Sequence, residues 1–122
     1  MNGFVKSGLT LALTLCGCGK AYAHAHLLES APAAGMVVTA APGVLRLDFS
    51  EDVQLGFTGV TLRGPGGAIV AAGHARLAPN DHKELLVPLP RALTRGQYTI
   101  EWHALSDDGH TTRGSYGFRV AN

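Results

Sequence analysis

Apolar residues beyond the first third of the chain fall at every second position, in short runs. Leu45, Leu47 and Phe49 alternate with Arg46 and Asp48, the period of a strand with one buried face. Val60 and Leu62 repeat the pattern ahead of Gly64-Pro65-Gly66-Gly67, a strong turn signal. Leu85, Val87 and Leu89 alternate up to Pro90, and Tyr98, Ile100 and Trp102 alternate with Thr99, Glu101 and His103. Tyr116, Phe118 and Val120 close the chain. A first strand near residues 26–30 and another near 68–74 bring the total to about seven, with turn residues roughly every ten positions. No heptad or helical stripe occurs beyond residue 23, and there is no internal repeat, low-complexity tract or linker. The pattern predicts an all-β fold, a single antiparallel sandwich with Greek-key connections, in which Trp102 anchors the core.

The first residues follow a different logic. Lys6 precedes an apolar run at residues 9–15, too short to cross a bilayer, and Ala21-Tyr22-Ala23 supplies a small-x-small cleavage pattern. This order predicts an export leader over residues 1–23 and one mature domain over 24–122. Cleavage after Ala23 leaves His24 first; cleavage after Ala25 leaves His26 first. Leu15-Cys16-Gly17-Cys18 weakly resembles a lipoprotein box, and lipidation there would instead make Cys18 the first residue.

That leader changes the composition of what remains. It holds both cysteines, so the mature chain needs no disulfide and offers no thiolate to zinc, copper(I) or a substrate. It also takes away Lys6 and Lys20, leaving eight Lys and Arg against nine Asp and Glu. A nearly neutral domain gives no support to binding of nucleic acid or anionic membranes.

Candidate chemistry gathers after Trp102. Asp108 and His110 are separated by Gly109, and in extended backbone residues two apart project to the same side, where a carboxylate and an imidazole can meet one ion. Gly109 is expected to allow a tight backbone path and to keep a side chain away from the ion. Alone, Asp-Gly-His is an ordinary turn as readily as a metal site. A free His24 alters the balance, because its amine and ring Nδ1 close a six-membered chelate. With the ring of His110 that makes three nitrogens, and Asp108 adds an oxygen. Such a set suits tetragonal copper(II), whereas structural zinc prefers a closed tetrahedron, often with thiolates.

Three stretches, HAHLLESAPAAG from His24, GVLRLDFSEDV from Gly43 and GQYTIEWHALSDDGHTTRGSYGFRV from Gly96, together resemble the bacterial copper-resistance protein C family, the CopC/PcoC type. They span the mature domain from end to end. The resemblance implies a cupredoxin-like, immunoglobulin-like β-sandwich or barrel that binds copper(II) in the periplasm. It places the family's ligands on His24, Asp108 and His110. It also implies a monomer acting in copper tolerance or uptake, alongside an inner-membrane copper transport protein of the CopD kind or other periplasmic copper proteins. Some relatives add a methionine-rich loop for copper(I). Here only Met36 follows the leader, so a single copper(II) site is expected.

Two other classes compete. Lytic polysaccharide monooxygenases also use an N-terminal histidine brace, but that oxidative chemistry needs an open copper position where Asp108 is expected, and a flat face that short loops do not provide. A metal-free sandwich serving as an interaction module is the other alternative. No spacing or elbow motif arranges a hydrolytic triad, and the expectation is that the chain is not an enzyme. His26, third from the new terminus, is expected to be structural or to support the ligands. His103, His74 and His82 are expected to be solvated, and Glu29 and Asp107 to be surface charges or partners that orient a ligand ring.

Overall fold

The computed structural model describes residues 24–121. The expected leader over residues 1–23 and the Cys18 box lie outside the described residues. The rest forms nine strands: β1 (Leu27–Ala31), β2 (Val37–Val38), β3 (Val44–Phe49), β4 (Gly59–Arg63), β5 (Ile69–Val70), β6 (Arg76–Ala78), β7 (Asp81–Pro88), β8 (Gly96–Leu105) and β9 (Thr111–Val120). They make two sheets, a four-stranded one in the order β1-β3-β7-β6 and a five-stranded one in the order β2-β9-β8-β4-β5. The chain passes repeatedly from one sheet to the other, which is the expected all-β Greek-key sandwich.

Alternation in the sequence becomes the core. Along β3, Leu45, Leu47 and Phe49 are buried, and they stand across from β7 with Leu45 opposite Val87 and Leu47 opposite Leu85. In the second sheet Tyr98 lies directly opposite Phe118, their rings stacked 5.5 Å apart, the kind of cross-strand aromatic pair that stabilises a sheet. The Tyr98 hydroxyl donates to the Thr94 carbonyl at 2.7 Å, so the buried polar end of the ring is satisfied. Trp102 is a partial anchor: it packs edge-on against Phe49 at 5.4 Å while keeping some exposure. Its indole lies flat over Gly114, where an added Cβ would stand 2.5 Å from the ring.

Two strands beyond the expected set appear, and both are short. β2 has two residues and pairs parallel to β9, Val37 with Arg119 and Val38 with Val120. Nothing that short carries a readable period. β6 pairs with β7 across the Pro79-Asn80 turn. The expected strand near 68–74 shrinks to β5, because beyond Val70 the chain leaves its partner and Gly73 bonds the Pro88 carbonyl at 2.7 Å.

The sheet edges are irregular or brief. The outer strands of the four-stranded sheet each carry a register shift, at Leu27/Glu29 in β1 and at Leu77/Ala78 in β6. The outer strands of the other sheet, β2 and β5, are two residues long.

Burial predicts where the fold is vulnerable. Leu47 is fully buried, so Leu47→Ala should cost about 3 kcal/mol in urea unfolding. Leu28 is 65% exposed on an edge strand, and Leu28→Ala should stay within about 0.5 kcal/mol. Equal losses would mean that the core is not centred on β3.

Candidate metal centre

β8 and β9 pair at ten consecutive positions, from Gly96 with Val120 to Leu105 with Thr111. Residues 106–110 are left to join them, and both Asp108 and His110 sit in that hairpin loop. Their convergence has a different origin from the one expected. It comes from a turn rather than from extended backbone. Gly109 takes φ +94°, a left-handed conformation that favours glycine. A Cβ there would meet nothing within 4 Å, so backbone conformation, not crowding, is what calls for glycine.

The loop is tied internally through Ser106, which is 1% exposed. The Ser106 amide donates to the His110 carbonyl at 3.0 Å, and the Gly109 amide donates to the Ser106 carbonyl at 2.9 Å. The Ser106 hydroxyl makes a short hydrogen bond to Asp108 Oδ1 and also reaches the His110 carbonyl at 3.2 Å. Asp108 Oδ1 accepts the His110 amide at 3.3 Å and lies 3.2 Å from His110 Nδ1. The loop is held from outside as well, by a bridge between Ser106 and Val53 and by the Asp107 amide donating to the Asp52 carbonyl at 3.2 Å.

The start of the domain comes to this loop. Ala25 is completely buried among the core residues, and its carbonyl accepts the Thr112 hydroxyl of β9 at 2.6 Å. Ser50, just past β3, holds the residues on either side. Its amide donates to the His26 carbonyl at 2.8 Å, its Oγ accepts the His26 amide at 2.8 Å, and its hydroxyl donates to the His24 carbonyl at 3.3 Å. A small apolar side chain in the core thus leaves exposed histidines before and after it. The His24 ring lies 4.6 Å from the His110 ring, tilted by 42°, while the His26 ring is 6.3 Å from that of His24.

All three predicted ligands therefore meet at one end of the sandwich. Among the described residues, no three His, Cys, Asp or Glu side chains form a ready-made metal cluster. His24 approaches His110, and His110 approaches Asp108, but the remaining nitrogen of the predicted set belongs to the backbone. In the uncut chain that nitrogen is the amide joining His24 to Ala23, which while it keeps its proton is not a donor. Asp108 and Asp107 line a cavity of about 390 Å³ with Glu51, Asp52, Lys83 and Ser106. Glu29 lies elsewhere, on a groove of about 670 Å³ with Trp102 and Tyr116, and none of the three predicted ligands lines it. His103 is half-buried rather than solvated, its ring lying over Gly59, and His82 falls on β7 rather than in a turn.

Ser50, Ser106 and Thr112 are the contributors that the sequence did not single out. Ser106 stands in the Ser-x-Asp-Gly-His run, which was its only signal. Ser50 and Thr112 had none, since a hydroxyl residue at a strand end or near a hairpin is commonplace.

The fold and this end of it define a class: a small all-β domain whose first described residue lies against an imidazole–carboxylate pair on its last hairpin. The chain belongs to the CopC domain family, which matches residues 27–121. It is 40% identical over 116 residues to protein YobA of Escherichia coli K12, covering 95% of this chain and 94% of that one. It is 34% identical over 121 residues to copper resistance protein C of Escherichia coli, covering 94% and 95%. Among solved structures it is similar to PcoC, a methionine-rich copper resistance protein from Escherichia coli, with TM-score 0.73 and 33% identity over 80% of this chain and 99% of that one. These likenesses carry a copper-related function and a chain that is not an enzyme.

Asp108 is held below the usual carboxylate range, chiefly by the Ser106 hydroxyl and further by the His110 ring and amide, against a smaller opposing effect of desolvation. A depressed carboxyl favours the folded state above its ordinary pKa, and that preference fades as pH falls through the folded value. In a carbon-detected NMR titration of the metal-free protein, Asp108 should titrate below the ordinary value of about 3.9. Ser106→Ala should raise that midpoint. An unchanged Asp108 midpoint in the variant would remove Ser106 as the cause.

Proposed function

We propose that the chain is exported, cut after Ala23, and holds one copper(II) ion between His24, Asp108 and His110 as a periplasmic protein of copper resistance or homeostasis. The single observation that carries this reading is the 4.6 Å approach of the His24 and His110 rings, which come from opposite ends of the domain. Cleavage converts the His24 amide into an amine, so the same residue then supplies two nitrogens. The hydrogen-bond geometry suggests which atoms remain for the ion. His110 turns Nδ1 toward Asp108, which leaves Nε2 as its donor, since the bond made by one ring nitrogen selects the other for metal. Asp108 Oδ1 is engaged by Ser106 and His110, which leaves Oδ2 to provide the oxygen.

Three nitrogens and one carboxylate oxygen favour copper(II) over copper(I), which prefers thiolates and thioethers. The methionine-rich character of PcoC is not repeated here, where Met36 alone follows the leader. Copper is the protein's cargo. Resistance then means withholding the ion, or passing it to a membrane copper transport protein.

The test begins with the exported protein, whose mass should correspond to a chain starting at His24. Copper(II) affinity is then measured by competition with a chelator, and paramagnetic resonance should show nitrogen hyperfine structure. One extra residue ahead of His24, or His110→Ala, should weaken binding by more than about 100-fold, because even the loss of an orienting partner costs 10–100-fold. Asp108→Asn, which keeps an oxygen, should cost less than either. A lipidated chain starting at Cys18, or undiminished affinity in the extended protein, would refute the His24 amine as a ligand.

A further inference from the structure

A chain that begins His24-Ala25-His26 can bind copper(II) in two ways, and the structure contains a device that chooses between them. In the first, which is the site proposed above, His24 reaches across to His110. The second is entirely local. The His24 amine, the backbone nitrogens of Ala25 and His26, and the His26 ring would wrap the ion in one plane, with copper replacing the two amide protons, which pass to water. Four nitrogens from three consecutive residues need no fold at all, so an unrestrained terminus is free to form the wrap.

The folded chain opposes the wrap at every one of those residues. The His26 N–H that the wrap would remove is donated to Ser50 Oγ at 2.8 Å. The same hydroxyl donates to the His24 carbonyl at 3.3 Å, and the Ser50 amide donates to the His26 carbonyl at 2.8 Å. Between them, the Ala25 carbonyl accepts the Thr112 hydroxyl at 2.6 Å, and the Ala25 side chain is completely buried. Curling the backbone of residues 24–26 around an ion would break all four bonds and pull Ala25 out of the core. Ser50 follows β3 in one sheet and Thr112 lies in β9 of the other, so the tripeptide is pinned from both sides.

We infer that Ser50 and Thr112 determine the specificity of the site: they hold the terminus extended, so that copper(II) takes the His24–His110 arrangement and not the His24–Ala25–His26 wrap. This rests on the reading that copper(II) binds at His24. Neither hydroxyl touches the metal. Both act by fixing the backbone that carries a ligand, as positioning residues.

The experiment is a switch of ligand dependence in the exported protein. Copper(II) affinity and the visible spectrum are recorded for the unaltered protein and for Ser50→Ala/Thr112→Val, each with and without His110→Ala or His26→Ala. In the unaltered protein His110→Ala should weaken binding strongly and His26→Ala little. In the double variant the order should reverse, with His26→Ala costing at least about tenfold, on the scale of lost orienting or ligating groups. The absorption band should also move to shorter wavelength, since two amide nitrogens impose a stronger ligand field. Thr112→Ser, which restores a hydroxyl, should behave as the unaltered protein does. Because the wrap needs only the first three residues, the switch should appear even if the double variant is destabilised. Ser50→Ala alone should shift partway.

A double variant that kept its His110 dependence and its spectrum would overturn this inference and leave the His24–His110 site standing. A double variant that lost copper altogether would overturn it too. If the unaltered protein already depended on His26 and not on His110, both the site and the inference would fall.

Discussion

The register of β8 against β9 is the constraint on which the end of the sandwich carrying Asp108 and His110 depends. A slip of β8 by one residue would turn Tyr98, Ile100 and Ala104 from the inside to the outside and take Tyr98 away from its partner Phe118. Their burial therefore fixes ten pairings at once, and the pairings fix the length of the connecting loop. With its base closed by Ser106 and its turn made at Gly109, that loop has little freedom in where it presents Asp108 and His110. The same register sets Thr112 facing inward one step into β9, where it meets the carbonyl of Ala25. Placement of the first described residues is thus inherited from packing at the far end of the chain.

Much of this was legible in the alternation of residues. Leu45, Leu47 and Phe49 are a strand in sequence and in structure because a half-buried strand has one readable period. The same holds for Tyr98, Ile100 and Trp102. Strand β2 was not legible: two residues show no period, and its pairing with β9 depends on where the chain crosses between sheets. The stretch at 68–74 resembled a strand by composition, but a ladder needs a partner, and sequence does not reveal that the pairing with β4 stops at Val70. Asp108, Gly109 and His110 stood out as a group for chemical reasons. The geometry that unites them is a property of a loop between registered strands, which the spacing alone described differently.

The hydroxyls of Ser50, Ser106 and Thr112 mark the limit of such a reading. Each acts through a backbone group, and backbone groups are the same at every position, so no residue pattern announces the pairing. Ser50 and Thr112 also act on a segment far away in sequence, which only the closed sandwich brings near. Ligand types can be named from a chain because they are chemically distinctive, while the groups that hold ligands in place are chemically ordinary.

The irregular edges have a consequence of a different kind. A strand at the rim of a sheet exposes unpaired amides and carbonyls, and a long, flat one is a template for another copy. Here β1 and β6 are kinked by register shifts, and β2 and β5 end after two residues. None of the four rims offers a straight run for a neighbour to zip onto. Where many copies stand side by side, four blunted rims of this kind keep them from joining edge to edge into fibres.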